Sequence, residues 1–344
     1  MKIKNKANKS NYLKKIFIKL SRIFGFEIID QSNFYIPTSN KDGLKNPSQI
    51  GKESLIIPMG KTEITRPVKS LDIILRTCTS VNMLTQSKKR IFEKDKSEYS
   101  LKTLNSITNS INNNKELFNK IHLKVTIIDH NSNQEILSKF NEILKNQFFQ
   151  SEVLKLDLDL YEKQIDKINE EGKEVSKNQI SNMSNIHQSF EIAKNCRDLI
   201  YFVEDDYIHK LDAIEEMIFA YERISSQLNR ELILCPSDYP YLYNSLEKSY
   251  VFLGNKYHWR SIEETLCTFL TSKTLINKYF DEFTSTSKKE HYPFEKPLHN
   301  IYKKELCISP IPSLAIHFTN VNSIYGFSPN VNWKRLWEEN EDKV

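Results

Sequence analysis

The sequence predicts an α/β protein whose central sheet is mostly parallel and flanked by helices. Three short runs rich in β-branched residues are typical of buried strands: Leu71–Leu75, Leu123–Ile128 and Leu199–Val203. Between them, Ser100–Asn112 and Gln134–Phe148 have patterns typical of helices. Strands that alternate with helices favour a parallel sheet, because the connecting helix carries the chain back to begin the next strand in the same direction.

Polar side chains follow each of these predicted strands. Arg76 follows the first strand, Asp129 the second, and the acidic triplet Glu204-Asp205-Asp206 the third. Ligands of α/β sheets bind beyond the carboxyl ends of the strands, so we expect these side chains at one edge of the sheet. Three adjacent carboxylates repel one another unless a positive charge lies beside them. A divalent cation can supply that charge, and a solvated turn before the next helix is the alternative.

With these residues the chain resembles a glycosyltransferase of the GT-A fold, close to the family-2 group, over residues 69–337. The matching features are the first strand with its Arg-Thr, the second strand with its acidic turn, and the helix that follows Asn185. The DXD-like acidic triplet and a late histidine, His317, complete them. The resemblance implies metal-dependent transfer of a sugar from a nucleotide-diphosphate donor to a glycan or lipid-linked acceptor. It also implies inversion at the anomeric carbon and a role in cell-surface glycan synthesis.

The resemblance implies a metal centre at the acidic triplet. Glu204 and Asp206 are the expected ligands of Mn²⁺ or Mg²⁺, which would act as a Lewis acid on the two donor phosphates. His317 is the expected third ligand, since imidazole suits Mn²⁺ better than Mg²⁺. A purely structural histidine after a strand is the alternative at that position.

Four residues are expected to bind the donor. By resemblance, Asp129 contacts the nucleotide base, and Arg76 lies near the same pocket. Asp205 is expected near the ribose or the sugar. Asn185 is expected along the donor site, at the start of an apolar helical face that packs in the core.

The acceptor is expected to bind near residues 257–269, where aromatic, basic and acidic side chains follow a glycine. Trp259 would stack on a sugar ring, and Arg260 would orient an acidic or phosphorylated acceptor. Asp238, in a turn rich in proline and tyrosine, would border the same cleft. Inversion needs a base for the acceptor hydroxyl, and Glu264 is favoured over Glu263 for that role. A surface loop and a tight proline turn are the alternatives without function.

The composition limits other classes of protein. The chain has 7 glycines in 344 residues and no G-x-G-x-x-G or Walker A sequence, so a bound nucleotide must rely on metal and side chains. Its five cysteines are widely spaced, which favours reduced thiols in the cytoplasm over a zinc site or disulfides. A catalytically inactive GT-A-like binding protein and a metal-dependent phosphoryl hydrolase remain as alternatives, although the chain has no D-x-D-x-T/V motif.

The N-terminus predicts a basic amphipathic helix within residues 1–30. Apolar residues recur at helical spacing from Tyr12 to Phe24, and residues 1–24 contain lysine and arginine but no acid. Such a helix can lie on the anionic inner face of the cytoplasmic membrane, and it is too short to span a bilayer. Docking on the catalytic domain or on a partner is the alternative. An irregular connector is expected at 31–68 and the GT-A domain at 69–344. No second basic patch suggests nucleic-acid binding.

Overall fold

The structure is a computed structural model that describes residues 12–26, 53–56, 60–80, 91–244, 248–318 and 326–341. Its helices are α1 Tyr12–Ile23, α2 Lys96–Asn112, α3 Lys115–Phe118, α4 Gln134–Leu144, α5 Leu158–Tyr161, α6 Lys177–Ala193, α7 Ala213–Leu228, α8 Lys273–Lys278, α9 Phe280–Lys288, α10 Lys296–Tyr302 and α11 Trp333–Glu338. Its strands are β1 Glu53–Ile56, β2 Gly60–Glu63, β3 Ser70–Thr77, β4 His122–Asp129, β5 Gln150–Lys155, β6 Leu199–Glu204, β7 Tyr207–His209, β8 Ile233–Leu234, β9 Val251–Leu253, β10 His258–Ile262, β11 Phe269–Ser272, β12 Cys307–Ile311 and β13 Ala315–His317.

A nine-stranded mixed sheet forms the centre of the protein, in the order β5-β4-β3-β6-β11-β8-β12-β10-β9. Strands β5, β4, β3 and β6 pair in parallel. Strand β11 runs antiparallel to both of its neighbours, and β10 runs antiparallel to β12 and β9. All the other strands of this sheet therefore point in one direction, because β8 and β12 are parallel to each other. The mostly parallel α/β sheet predicted from the sequence is confirmed.

The two faces of the sheet carry separate apolar clusters, because successive side chains of a strand point to opposite faces. Ile73, Leu75 and Val203 pack on one face with residues of α2 and α7. Ile74 and Phe202 pack on the other face with residues of α6 and α9. Helices therefore flank the sheet on both sides, and the same alternation decides where the polar residues at the strand ends point.

A two-stranded ribbon of β7 and β13 lies directly beyond the acidic triplet. His317 is opposite Tyr207 in this ribbon, and the Phe318 backbone N–H donates to the Asp206 carbonyl at 2.8 Å. An aromatic cluster that includes Phe318 and Trp337 supports the ribbon. The ribbon thus places β13 beside the turn that follows β6.

Helix α1 has the expected helical structure, and its described apolar side chains are exposed. The exposed fractions of Leu13, Ile16, Phe17, Leu20 and Ile23 range from 39% to 72%. Docking of this face on the catalytic domain is therefore not seen within the described residues. No helix in the described ranges is long and apolar enough to cross a bilayer.

The expected irregular connector is only partly covered by the structure. Its described portion includes a short antiparallel hairpin, β1–β2, in which Glu53 is opposite Glu63. The sequence pattern missed this hairpin because each strand has only four residues. Residues 31–52 and 57–59 of the expected connector lie outside the described ranges, as do residues 1–11 and 27–30 of the predicted N-terminal unit.

Candidate active site at the carboxyl edge of the sheet

Arg76 and Glu204 lie side by side at the carboxyl ends of β3 and β6. The two residues are in register, and Arg76 Nη2 is 3.2 Å from Glu204 Oε1. Arg76 Nη1 also donates to Asn182 Oδ1 of α6 at 3.3 Å. Among the described contacts Nη2 is buried without a hydrogen bond, because its ion pair lacks hydrogen-bond geometry. Within the described contacts, the guanidinium therefore keeps a donor for which the protein supplies an ion pair but no hydrogen bond.

Asp205, in the turn directly after β6, points toward α2 on the face of the sheet opposite Glu204. Its Oδ2 accepts hydrogen bonds from Ser100 Oγ at 2.8 Å and from the Cys78 backbone N–H at 3.2 Å. Its Oδ1 is 3.3 Å from Lys96 Nζ. Both oxygens are thus engaged by the protein, and the carboxylate ties the start of α2 to the acidic triplet. The donor contact expected for Asp205 stays a prediction.

Asp206 and His317 adjoin each other across the β7–β13 ribbon. Asp206 Oδ1 is 3.4 Å from His317 Nε2. The imidazole stacks on Tyr207, with ring centroids 4.7 Å apart and planes inclined by 6°. The Tyr207 hydroxyl in turn lies 2.6 Å from the hydroxyl of Tyr239, and both tyrosines are fully buried. These contacts fix the imidazole plane so that Nε2 stays beside the Asp206 carboxylate.

Glu295 is a candidate functional residue that the sequence analysis missed. It immediately precedes α10 and is half-buried, and its charged neighbours include Glu204, His317 and Arg76. Burial, and then the negative charge of Glu204, raise the pKa of Glu295 to about 7, and His317 and Arg76 partly oppose that rise. A carboxyl group that titrates near neutral pH is suited to general-base catalysis.

The signal for Glu295 in the sequence was the proline at position 297. Proline is favoured in the first turn of a helix, so Pro297 marks a helix start and places Glu295 immediately before it. Nothing in the local pattern indicates that this helix start faces the acidic triplet. That placement depends on how α10 packs against the sheet through Leu298 and Ile301.

Asp129, expected to contact the donor base, and Asn185, expected along the donor site, both make contacts at the end of β4. Asp129 Oδ1 accepts hydrogen bonds from the hydroxyls of Thr77 at 2.7 Å and Ser132 at 2.5 Å. Asn185 Nδ2 donates to the Ile128 carbonyl at 3.0 Å, which fastens α6 to β4. The Asn185 Oδ1 atom is buried and has no hydrogen-bond partner in the described part of the chain. Asp129 thus shapes the turn after β4, and Asn185 retains an acceptor.

Two of the predicted acceptor residues form one unit. Arg260 Nη2 donates to Asp238 Oδ1 at 2.6 Å, and the guanidinium carbon lies 4.5 Å from the ring centre of Tyr243. The Tyr243 hydroxyl donates to Asp238 Oδ2, also at 2.6 Å. Burial raises the pKa of Asp238, and Tyr243 and Arg260 oppose that rise. Tyr243, which the sequence analysis did not select, is 52% exposed and presents an aromatic surface.

Trp259 does not have the exposed position expected of a sugar-stacking residue. It is fully buried, and its indole N–H donates to Glu216 Oε1 at 3.3 Å. A Cβ atom on Gly254 would lie 2.4 Å from the indole nitrogen, so the glycine is needed for this packing. The stacking assignment is corrected because the indole fills the core behind β10 and has no face open to an acceptor.

Glu263 and Glu264, the predicted bases, lie in the segment after β10 and are both exposed. The Tyr241 hydroxyl donates to the backbone carbonyl of Glu264 at 2.8 Å, which fixes the main chain there and leaves the carboxylate unconstrained by that bond. Nothing in this placement decides between the two carboxylates. Their role stays a prediction.

The metal ligands expected from the sequence are three side chains at or beside this edge. Two carboxylates and one imidazole, from Glu204, Asp206 and His317, are a ligand set that Mn²⁺ accepts. In the described ranges no three His, Cys, Asp or Glu side chains form a ready metal-binding group. The metal expected from the sequence therefore stays a prediction.

The fold is that of a mixed α/β protein with charged side chains gathered at the carboxyl ends of its parallel strands. No family model and no curated protein sequence matches the chain. Among solved structures, the bifunctional glycosyltransferase WbbM is 8% identical over 67% of this chain and 37% of its own, with a TM-score of 0.34. Residues 1–349 of S. aureus TarS are 10% identical over 64% of this chain and 55% of their own, also with a TM-score of 0.34.

A UDP-glucose pyrophosphorylase from Acinetobacter baumannii is 7% identical over 79% of this chain and 92% of its own, with a TM-score of 0.37. The chain spans less than two thirds of the WbbM and TarS chains that it matches. TM-scores of this size do not establish a shared fold, so these likenesses carry no argument about function. The function proposed below depends on the residues of this chain.

Proposed function

We propose that this protein is a GT-A-type glycosyltransferase that moves a sugar from a nucleotide-diphosphate donor to a glycan or lipid-linked acceptor, with inversion. The observation that carries the proposal is the group of residues at the carboxyl edge of the sheet. There the Asp206–His317 pair, the buried Arg76 guanidinium and the near-neutral carboxyl group of Glu295 lie around Glu204. Sugar transfer of this kind needs ligands for the metal, positive charge beside the leaving diphosphate and a base for the acceptor hydroxyl.

The leaving group is the first requirement. Breaking the bond between the anomeric carbon and the phosphate oxygen places growing negative charge on the diphosphate. Bound by Glu204, Asp206 and His317, Mn²⁺ or Mg²⁺ would supply Lewis-acid stabilisation of that charge. Arg76 adds a fixed positive charge, and its Nη2 atom lies 3.2 Å from Glu204 Oε1 without a hydrogen bond among the described contacts. Such a guanidinium suits phosphate oxygens.

The second requirement is a base for the acceptor hydroxyl. Glu295 is ionised above a pH of about 7 and can take the proton while the acceptor oxygen attacks the anomeric carbon. Attack on the face opposite the leaving diphosphate inverts the configuration at that carbon. Glu264 and Glu263 are the alternative bases. The presence of a suitable base favours a transferase, because an inactive binding protein of the same architecture would not need a base.

The acceptor is proposed to bind at the Asp238–Arg260–Tyr243 unit. The exposed ring of Tyr243 can stack on a sugar, since aromatic faces pack against the C–H groups of a pyranose. Arg260 is already paired with Asp238 at 2.6 Å, so its side chain is held in place before an acceptor arrives. A preorganised arginine loses little conformational entropy when it orients a ligand.

A thermal-shift titration with UDP, GDP, dTDP and CMP, each with and without Mn²⁺, tests the donor site. A ligand present at a hundred times its Kd stabilises the native state by about 2.7 kcal/mol, which raises Tm by a few degrees. We expect this rise for one of the diphosphates and only when Mn²⁺ is present. If none of the four nucleotides shifts Tm, the donor site is contradicted.

We also propose that α1 holds the protein at an anionic membrane surface. The described apolar side chains of α1 are exposed, and its exposed Lys19 and Arg22 can meet lipid phosphates. Residues 1–24 contain no acidic side chain, so the charge of the whole segment favours an anionic surface. A protein of this kind would act from the cytoplasmic face of the membrane on an acceptor carried there.

Phe17→Asp should weaken binding to vesicles that contain phosphatidylglycerol by about tenfold to a hundredfold. The physical reason is that losing one buried aromatic side chain costs about 1.5–3 kcal/mol. Flotation with phosphatidylcholine vesicles, with and without phosphatidylglycerol, measures the effect, and added salt should weaken the wild-type binding. The matched control is Leu160→Asp, at a residue of α5 that is 51% exposed. Equal binding of the two variants would contradict the assignment to α1.

A further inference from the structure

Residues 165–175 form an ordered hairpin at the start of α6. Ile168 and Glu174 pair as an antiparallel bridge. At the tip, the Gly172 backbone N–H donates to the Asn169 carbonyl at 3.1 Å, and Gly172 has a φ of +80°, a conformation that favours glycine. We call residues 165–175 the hairpin and residues 288–296 the Glu295 segment.

The Glu170 carboxylate makes three contacts with the Glu295 segment. Its Oε1 accepts a hydrogen bond from the Tyr292 backbone N–H at 2.7 Å. Its Oε2 accepts one from Lys296 Nζ at 3.0 Å and lies 3.2 Å from His291 Nδ1. The Tyr292 N–H and the Lys296 ammonium together lower the pKa of Glu170 to about 2, so its carboxylate is charged throughout the physiological range.

Other contacts join the same two pieces of chain. Asn169 Nδ2 donates to Glu290 Oε2 at 3.0 Å, and the Asp166 backbone N–H donates to the Lys288 carbonyl at 2.7 Å. Phe294 packs against the apolar residues at both ends of the hairpin. The Glu295 segment is thus held by polar contacts along its backbone and by an apolar contact directly before Glu295.

We propose that the hairpin is a clamp that positions Glu295 in the active site, with Glu170 as the positioning residue. The inference rests on the proposed function, in which Glu295 is the base. Proton transfer requires the base within hydrogen-bond reach of the acceptor hydroxyl, and the segment that carries Glu295 has little regular structure of its own before α10. The contacts with the hairpin hold that segment in place.

The clamp also holds the side chain of Lys296, which directly follows Glu295. Glu170 holds the Lys296 ammonium at 3.0 Å, on the hairpin side. The Glu170 carboxylate therefore fixes the backbone of the Glu295 segment and also binds the Lys296 ammonium.

Glu170→Ala tests the clamp, with Glu171→Ala as its matched control. Glu171 neighbours Glu170, and the structure pairs its side chain with Lys173 on the hairpin itself, at 2.7 Å. The assay is release of nucleoside diphosphate from UDP-glucose, UDP-galactose, UDP-N-acetylglucosamine or GDP-mannose, whichever donor the wild-type protein turns over. We expect Glu170→Ala to lower kcat by about tenfold to a hundredfold, because a base displaced by about 1 Å loses catalytic alignment. The donor KM should stay within about twofold, since the proposed donor ligands lie outside the segment.

Hydrogen exchange gives a readout that does not depend on activity. The Tyr292 amide donates to Glu170, so it should exchange at least about tenfold faster in Glu170→Ala and unchanged in Glu171→Ala. Glu170→Gln, which keeps an oxygen acceptor but loses the charge, should give a smaller fall in kcat and serves if the alanine variant does not fold. An unchanged kcat in a folded Glu170 variant overturns the clamp, as does a rise in donor KM at constant kcat.

Failure of the clamp and failure of the proposed function are distinguishable in this series. If Glu295→Gln keeps wild-type turnover, Glu295 is not the base, and the catalytic role of the clamp falls with it. If Glu295→Gln is inactive while Glu170→Ala has wild-type kcat, only the clamp is contradicted.

Discussion

Replacing Asp206 by asparagine should remove the Mn²⁺-dependent stabilisation by nucleoside diphosphate and lower turnover by at least about a hundredfold. Asparagine keeps the shape of the side chain but loses the charge that a divalent cation needs. The Tm without ligand should change little, because weaker repulsion among the three adjacent carboxylates offsets the weakened Asp206–His317 pair. Thermal-shift titration with UDP or GDP, with and without Mn²⁺, and donor turnover measure both effects.

Asp205→Asn is the matched control in the same acidic triplet. Its carboxylate contacts Lys96, Ser100 and the Cys78 backbone N–H, on the face of the sheet opposite Glu204. The variant should lose about 1–3 kcal/mol of stability, since it leaves a nearly buried lysine without its ion pair, but should keep the Mn²⁺-dependent shift. A Mn²⁺-dependent shift that survives in Asp206→Asn would contradict the proposed ligand set.

Glu295→Gln should lower kcat by about 10²- to 10⁴-fold, the usual contribution of a general base. In the wild-type protein kcat/KM should rise with pH and level off above a pH of about 7, as Glu295 becomes ionised. The residual activity of the variant should lack that rise. Glu264→Gln and Glu263→Gln are the controls, because the sequence favours these residues as the base. If either of them removes activity while Glu295→Gln does not, the base lies after β10.

The same variant has a defined effect on stability. The pKa of Glu295 is raised from its ordinary value of 4.5 to about 7, so the folded state binds its proton more tightly than the unfolded state does. The resulting stabilisation is fully present below a pH of about 4.5 and is lost as the pH rises through about 7. Glu295→Gln should therefore be more stable than the wild type above neutral pH and lose that advantage in acid, as chemical denaturation at several pH values would show.

The parts of the site on regular strands could be predicted from the sequence. Uninterrupted β-branched runs indicated β3, β4 and β6, and parallel pairing then required Arg76 and Glu204 to meet. Strand alternation alone would also have placed Asp205 on the face opposite Glu204, although the resemblance assigned it to the donor. These positions follow from local periodicity, which a single sequence displays.

The remaining parts depend on packing between distant segments. Glu295 becomes a candidate base only because α10 packs under the sheet and because the hairpin at residues 165–175 holds the preceding chain. Trp259 was expected at the surface, since an aromatic residue after a glycine-containing turn has no distinct local signature of burial. Its position in the core is set by Glu216 and Gly254, which contact the indole from α7 and from the loop before β10. No pattern along the chain records such contacts.

The β7–β13 ribbon has a consequence for the order in which the site is assembled. His317 reaches Asp206 only when β13 joins the ribbon, and Trp337 of α11 supports that region by stacking on Phe92 at 4.1 Å. The Trp337 carbonyl also accepts a hydrogen bond from Lys102 of α2 at 3.3 Å. During synthesis the acidic triplet emerges well before these residues, so the nascent chain carries the carboxylates without their histidine. The proposed metal site is therefore complete only after α11 has packed against α2.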